Sequence, residues 1–230
     1  VVVAVVVTPL GAVNLGLGEV FEAIIQRHGI AWDYRLPRII MAIICGMGFA
    51  FSGAATQGVL RNPLASPFTL GISSAAAFGG TIALLLGATM GGEGKFLAIG
   101  LAFIFGLGAL LLIYGISQRR GATPETVILC GICLMYVFLA MSSLAVMVWG
   151  IGMPYISFGL LMDSRWETVL VVSAFLLICA PLLMKYSWDL NALALGDDVA
   201  LSVGVNPRRV RVVCLILATL IVASVVCFTG

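Results

Sequence analysis

Few side chains in this 230-residue sequence have the type and spacing to do chemistry. Cys130 and Cys133 form a C-x-x-C, the spacing of redox and metal sites. The pair lies inside an apolar run, with no second pair and no neighbouring His. Small residues at a helix contact are therefore the plainer reading. His28 is the sole histidine and sits in a polar segment, and one histidine makes no metal site. There is no H-E-x-x-H, G-x-S-x-G or phosphate-binding loop, and no carboxylate pair within an apolar run. The spacings that remain belong to charge and shape. Arg35 and Arg38 stand three apart, Asp197 and Asp198 adjoin behind Gly196, and Asn-Pro or Thr-Pro pairs recur at Asn62-Pro63, Thr123-Pro124 and Asn206-Pro207.

The elements that must hold these residues follow from composition. Residues of the set AVILMFWYC make up 62% of the chain and charged residues 10%, against about 25% charged in soluble domains. A soluble globule has too few polar groups here to cover its outside. Disorder would need low hydrophobicity, and nucleic-acid binding a basic surface that a net charge of +2 does not supply. The charge-free intervals 39–60, 62–92, 96–118 and 126–162 each exceed the roughly 20 residues that cross a bilayer as helix. None alternates as a barrel strand would. The chain is expected to be an all-α integral membrane protein, a polytopic helical bundle.

Seven spans are expected, at about 1–10 (partial), 37–59, 67–88, 96–116, 124–149, 167–186 and 210–230. Ser66-Pro67, Thr123-Pro124-Glu125 and Asn206-Pro207 each read as a capping residue followed by proline at the first helical position. Seven Lys and Arg (61, 119, 120, 185, 208, 209, 211) fall in one set of loops and five (27, 35, 38, 95, 165) in the other. The first set is assigned to the cytoplasm. The run opens and closes within apolar sequence, and the chain is expected to be a fragment cut at both ends.

Two segments are more than spans and turns. Residues 35–74 join Arg35-Leu-Pro-Arg38 to a run rich in small residues (Gly46, Gly48, Ser52, Gly53, Ala54, Ala55), then Gln57 and Arg61-Asn62-Pro63-Leu64-Ala65. Small residues let helices approach closely in lipid. Two arginines on one face at the outer mouth suit either an acidic docking partner or lipid phosphate. Residues 187–211 read as two short cytoplasmic helices. Asn191 caps the first and Gly196 ends it; Asp197 or Asp198 caps the second and Gly204 ends it. Helices of under two turns need packing from elsewhere, and exposed Leu and Val suggest a partner protein pressing from the cytoplasm.

Arg35-Leu-Pro-Arg38, Gly53, Gln57, Arg61-Asn-Pro-Leu-Ala65, Pro67 and Leu70-Gly71-Ile-Ser-Ser74 resemble the second and third helices of FecCD-type permeases, the membrane subunits of ABC importers for iron-siderophores, haem and cobalamin. Leu190-Asn191, Leu195-Gly196-Asp-Asp-Val-Ala200 and Val203-Gly204-Val205 resemble that family's coupling helices. The chain departs from the family at Ala75, where glycine is usual, and at Ile156 to Leu160, where Trp-x-x-Gly-Ser is usual. The resemblance implies a single permease domain over 1–230 with a coupling loop at 187–211. Three C-terminal spans of ten would be missing, with Gly230 at the stretch before the eighth. It implies a multi-pass protein of a bacterial or archaeal cytoplasmic membrane that is no enzyme and needs no cofactor or metal.

The resemblance further implies partners: cytoplasmic ATPase subunits, a periplasmic or lipid-anchored substrate-binding protein, a second permease subunit making a homodimer, and membrane lipid, but no nucleic acid. Arg35 and Arg38 would dock the binding protein. Leu195, Gly196, Asp197, Asp198, Ala200 and Gly204 would meet the ATPase. Gly53, Gln57, Asn62 and Pro63 would serve helix packing and the pathway, and Thr123-Pro124 the inner gate. The rival expectation is an ion-coupled secondary transporter, which would call for carboxylates at membrane depth. A membrane-embedded enzyme comes third.

Overall fold

The computed structural model describes residues 22, 25–27, 29–87, 94–119, 124–149, 161 and 164–229. Within them every regular element is helical. A π-helical turn, Ala31–Arg35, leads into α1 (Leu36–Leu60); α2 (Ile72–Leu85), α3 (Gly94–Arg119), α4 (Pro124–Trp149) and α5 (Trp166–Lys185) follow. Two short helices, α6 (Ser187–Leu195) and α7 (Asp197–Ser202), precede α8 (Pro207–Thr229). Five helical stretches are long and apolar enough to cross a membrane: Ala31–Leu60, Phe96–Ile116, Glu125–Trp149, Trp166–Lys185 and Pro207–Thr229. The all-helical, polytopic bundle is as expected. The first expected span, 1–10, lies outside the described residues, as does His28.

One expected span is corrected. Residues 67–88 do not form a helix beginning at Pro67. The backbone N–H of Thr69 donates to Ser66 Oγ (3.1 Å) and that of Ser66 to Thr69 Oγ1 (2.9 Å), a reciprocal box that closes a single turn. Gly71 then takes φ 68° and ψ 6° and breaks the helix, which restarts at Ile72. The 14 residues of α2 rise only about 21 Å, short of the roughly 30 Å of hydrocarbon.

The reason for the break lies on α4. A Cβ on Gly71 would stand 2.8 Å from Gly131 O and Met135 N, and one on Gly131 would stand 2.7 Å from Leu70 Cα and Thr69 O. Two backbones touch where only glycine fits. Gly131 sits between Cys130 and Cys133, so the C-x-x-C marks a helix contact. A second close approach joins α2 to α3, where a Cβ on Gly79 would run into the backbone carbonyl of Leu101. Phe78, Phe105 and Phe138 tie α2, α3 and α4 together, with Phe78 edge-on to Phe105 at 5.2 Å.

Helix α8 occupies the centre, packed by α1, α2, α3 and α5. Its Ile221, Val222, Ala223 and Val225 are fully buried. Gly48 of α1 faces Ile221 and Val225, at 3.0 and 3.4 Å from a Cβ built there. Gly46 and Gly53 meet nothing within 4 Å. Within this chain Gly48, and not Gly53, makes the close contact of α1 with α8. Beside the start of α5 Trp32 stacks on Trp166 with centroids 4.9 Å apart, and Trp166 Nε1 donates to Trp32 O.

In lipid, contacts of this kind hold helices together because burial from water contributes little within the bilayer. Gly131→Ala in the full-length protein is expected to destabilise it by about 1–3 kcal/mol. Gly108→Ala, whose Cβ meets nothing within 4 Å, should be neutral or slightly stabilising. Thermal unfolding in detergent measures both, and an equal response would remove the contact's importance.

Candidate functional site

The C-terminal end of α1 closes on itself. The N–H groups of Arg61 and Asn62 both donate to Gln57 O, and Gln57 Nε2 donates to Pro63 O at 3.0 Å. Asn62 Oδ1 accepts from the N–H of Leu64 at 2.8 Å, an Asx turn. Gln57, Asn62 and Pro63 thus form one unit, and their types are set by backbone satisfaction. Arg61 adopts φ 49° and ψ 36° at the position where glycine usually ends a helix. That left-handed conformation costs a non-glycine residue about 1–2 kcal/mol.

The loop 187–211 contains two short helices, as expected, but their starts differ. Helix α6 begins at Ser187, directly after Tyr186 ends α5, so Asn191 lies mid-helix instead of capping. Asp197 and Asp198 are the first residues of α7, and Gly196 occupies the cap position with φ 135° and ψ 155°, a region open essentially to glycine alone. Helix α7 ends in a Schellman motif. Val205 N–H donates to Ala200 O, Gly204 N–H donates to Leu201 O, and Gly204 takes φ 84°. Asn206 Oδ1 then accepts from Arg209 N–H and Pro207 opens α8, as its sequence pattern predicts.

Charge fastens this loop to the spans. Arg211 of α8 donates to Asp197 Oδ1 at 2.8 Å, and Arg61 pairs with the same carboxylate oxygen while its Nε donates to Leu193 O at 2.6 Å. Burial by itself would raise the Asp197 pKa. The hydrogen bond and charge of Arg211, with the charge and hydrogen bond of Arg61, outweigh it and hold the carboxyl below the usual carboxylate range. A lowered folded pKa means stabilisation that is present above the ordinary carboxylate pKa and lost as pH falls through the lowered value.

Packing sorts the expected partner-facing residues. Ala200 is fully buried, whereas Asp197 pairs with two arginines of its own chain and keeps its side chain 42% exposed. Leu193 is buried as well, and Leu190 lies 3.6 Å from a Cβ built on Gly58 of α1. The outward surface is made of Trp188, Leu195, Asp198, Val199, Leu201 and Val203, with Trp188 82% and Leu195 75% exposed. Charge counting registered Arg61 and Arg211 only as orientation signals and did not single out Trp188. An arginine where glycine ends helices was the available clue.

At the opposite end, Arg35 closes the π-helical turn and Arg38 lies in the first turn of α1, with Arg38 Nε donating to Leu161 O at 3.2 Å. Pro124 is the first residue of α4, whereas Thr123 and Arg120 lie outside the described residues.

This arrangement, a broken helix pair joined through an Arg-Asn-Pro turn to two short helices, has relatives. The FecCD transport family matches residues 1–230. The chain belongs to that family. It is 36% identical over 213 residues to a protein of Methanocaldococcus jannaschii named as an ABC transporter permease, covering 87% of this chain and 61% of the relative. It is 33% identical to the molybdate import system permease protein of Haemophilus influenzae, covering 87% of this chain and 60% of the relative. Other relatives are named for import of cobalamin, Fe(3+)-citrate and hemin.

The chain spans about three-fifths of the length of such relatives. A solved structure of an ABC transporter assigned to the metal-chelate type, in an inward-facing conformation, superposes with a TM-score of 0.83 at 31% identity, over all of this chain and 72% of that one. The FecCD chain is a multi-pass protein of the cytoplasmic membrane.

The α6–α7 corner depends on glycine in this FecCD chain. Gly196→Ala should destabilise it by about 1–3 kcal/mol, and Gly204→Ala by roughly 1 kcal/mol. Hydrogen exchange of the amides 197–203 in the full-length protein reports both; unchanged protection in Gly196→Ala would contradict the geometry.

Proposed function

We propose that residues 1–230 form one domain of the permease subunit of an ABC importer. The subunit passes its ligand across the cytoplasmic membrane, while ATP is hydrolysed by partner subunits. The observation that carries this reading is the coupling loop. Two short helices are fastened to the ends of α1 and α8 and turn Trp188, Leu195, Leu201 and Val203 to the cytoplasm. Isolated large apolar side chains at a polar end of a membrane protein suit a protein partner better than water. The subunit performs no chemistry of its own. Import requires only that ATP and the loaded binding protein favour different states of the permease.

The remaining assignments follow the family resemblance. Arg35 and Arg38 dock a substrate-binding protein through acids on its surface, and a second permease subunit completes a central path faced by Gly53 and Gln57. The ligand is an iron-siderophore, haem or cobalamin-like chelate. The spread of relatives' names, from molybdate to hemin, shows how little the shared motifs discriminate among cargoes. Coupling to an ion gradient is the weaker reading, since the charged residues of the five spans sit at their ends.

Two docking variants separate the faces. Leu195→Asp in the full-length permease should reduce co-purification of the ATPase about tenfold or more, with binding-protein capture intact. Arg35→Glu with Arg38→Glu should do the reverse, since truncated or inverted interface charges cost a few kcal/mol. Retention of both partners by both variants would refute the assignment. For the inner gate, cysteine at Thr123 in both subunits of a Cys-free background should crosslink in one nucleotide state only. Equal crosslinking with and without ATP would reduce Thr123-Pro124 to an ordinary helix start.

A further inference from the structure

Helices α6 and α7 have nine and six residues and cannot hold their shape alone. Their apolar attachment is limited to Leu190, Leu193 and Ala200. Contacts of that kind resist separation but allow sliding, because dispersion is non-directional. Direction comes from hydrogen-bonded charge. Arg61 spans the corner at Gly196: its guanidinium reaches Leu193 O, which also accepts from the N–H of Gly196 at the end of α6, and the carboxylate of Asp197 at the start of α7. A cation placed on a helix's last carbonyls is favoured by the helix dipole as well. Arg211 grips the same carboxylate from the first turns of α8.

The backbone of Arg61 sharpens the point. Its left-handed conformation is one that glycine adopts freely, so terminating α1 does not require an arginine. The side chain is what the position retains. The two helices it serves are themselves joined, since Gly48 of α1 packs against Ile221 and Val225 of α8.

We propose that Arg61 and Arg211 are positioning residues that clasp Asp197 and so transmit movement of the α6–α7 corner to α1 and α8 as a single body. The proposal rests on the reading that this corner receives force from an ATPase. It also reassigns Asp197 from partner recognition to transmission inside the chain.

The test uses the full-length permease assembled with its ATPase and binding protein in liposomes, as wild type, Arg61→Gly, Arg61→Lys and Asp197→Asn. Hydrogen exchange of amides 187–203 reports the clasp. It should accelerate about fivefold in Arg61→Gly and Asp197→Asn, while the amides at the end of α1 stay protected in Arg61→Gly because glycine suits that turn. Substrate moved per ATP hydrolysed reports transmission. It should fall about tenfold in both variants with ATPase binding retained, and Arg61→Lys should fall between them and wild type.

Wild-type exchange in Arg61→Gly would show the residue to be a helix terminator only. Faster exchange with a normal transport-to-ATP ratio would show that the clasp fastens without transmitting. Either result overturns the proposal. Exchange needs no ATPase. If the wild-type permease binds none, the importer reading fails and the exchange measurement still decides whether the clasp exists.

Discussion

Backbone N–H and C=O groups that leave a helix must find other partners. The stretch 61–71, just past the end of α1, is where this chain supplies them without a helix. Asn62 Oδ1, Gln57 Nε2, and the paired side chains of Ser66 and Thr69 supply the missing partners, residue by residue. Because the break satisfies itself, α2 can start late and short, Gly71 can be driven against Gly131 of α4, and Arg61 can stand clear of α1. The core contacts and the attachment of α6 and α7 both begin from this one interruption.

The bundle divides into a firm seam and looser surroundings. Helix α8 carries the most burial, and α4 the least of the five spans. One end of the seam bears the ionic attachment to α6 and α7, and the other lies near the Trp32–Trp166 stack and the Arg38 contact to Leu161. An element that joins two sides of a membrane must be stiff along its length and addressable at its ends. The α1–α8 pair meets both demands, with dispersion in the middle and directional polar contacts at the end that holds α6 and α7.

The α6–α7 corner shows how glycine and charge divide the work. Gly196 and Gly204 set the path of the backbone through conformations that other residues resist, and Asp197 fixes the resulting shape to the spans. Apolar side chains are then free to face outward, at an energetic cost that only a covering surface offsets. A depressed Asp197 pKa belongs to the same picture, since the ionised carboxylate is the form both arginines hold.

Hydropathy was enough, on sequence alone, for the membrane class and for most of the approximate spans, because those depend on composition over about 20 residues. Cap-and-proline pairs located the start of α8, a purely local matter of donors and φ. The order of Arg35-Leu-Pro-Arg38, the Arg61-Asn-Pro-Leu-Ala65 turn and the Leu195-Gly196-Asp197-Asp198 corner pointed to the family. The tertiary structure decided what depends on distant neighbours. Pro67 fails to open a span because Gly71 must meet Gly131, 60 positions along the chain. Gly48 packs while Gly53 does not, because α8 lies on one side of α1 only. Asp197 is held to the spans because two arginines, 136 and 14 positions away in sequence, converge on it. Local patterns carry no record of such pairings, which arise only when the helices are laid side by side.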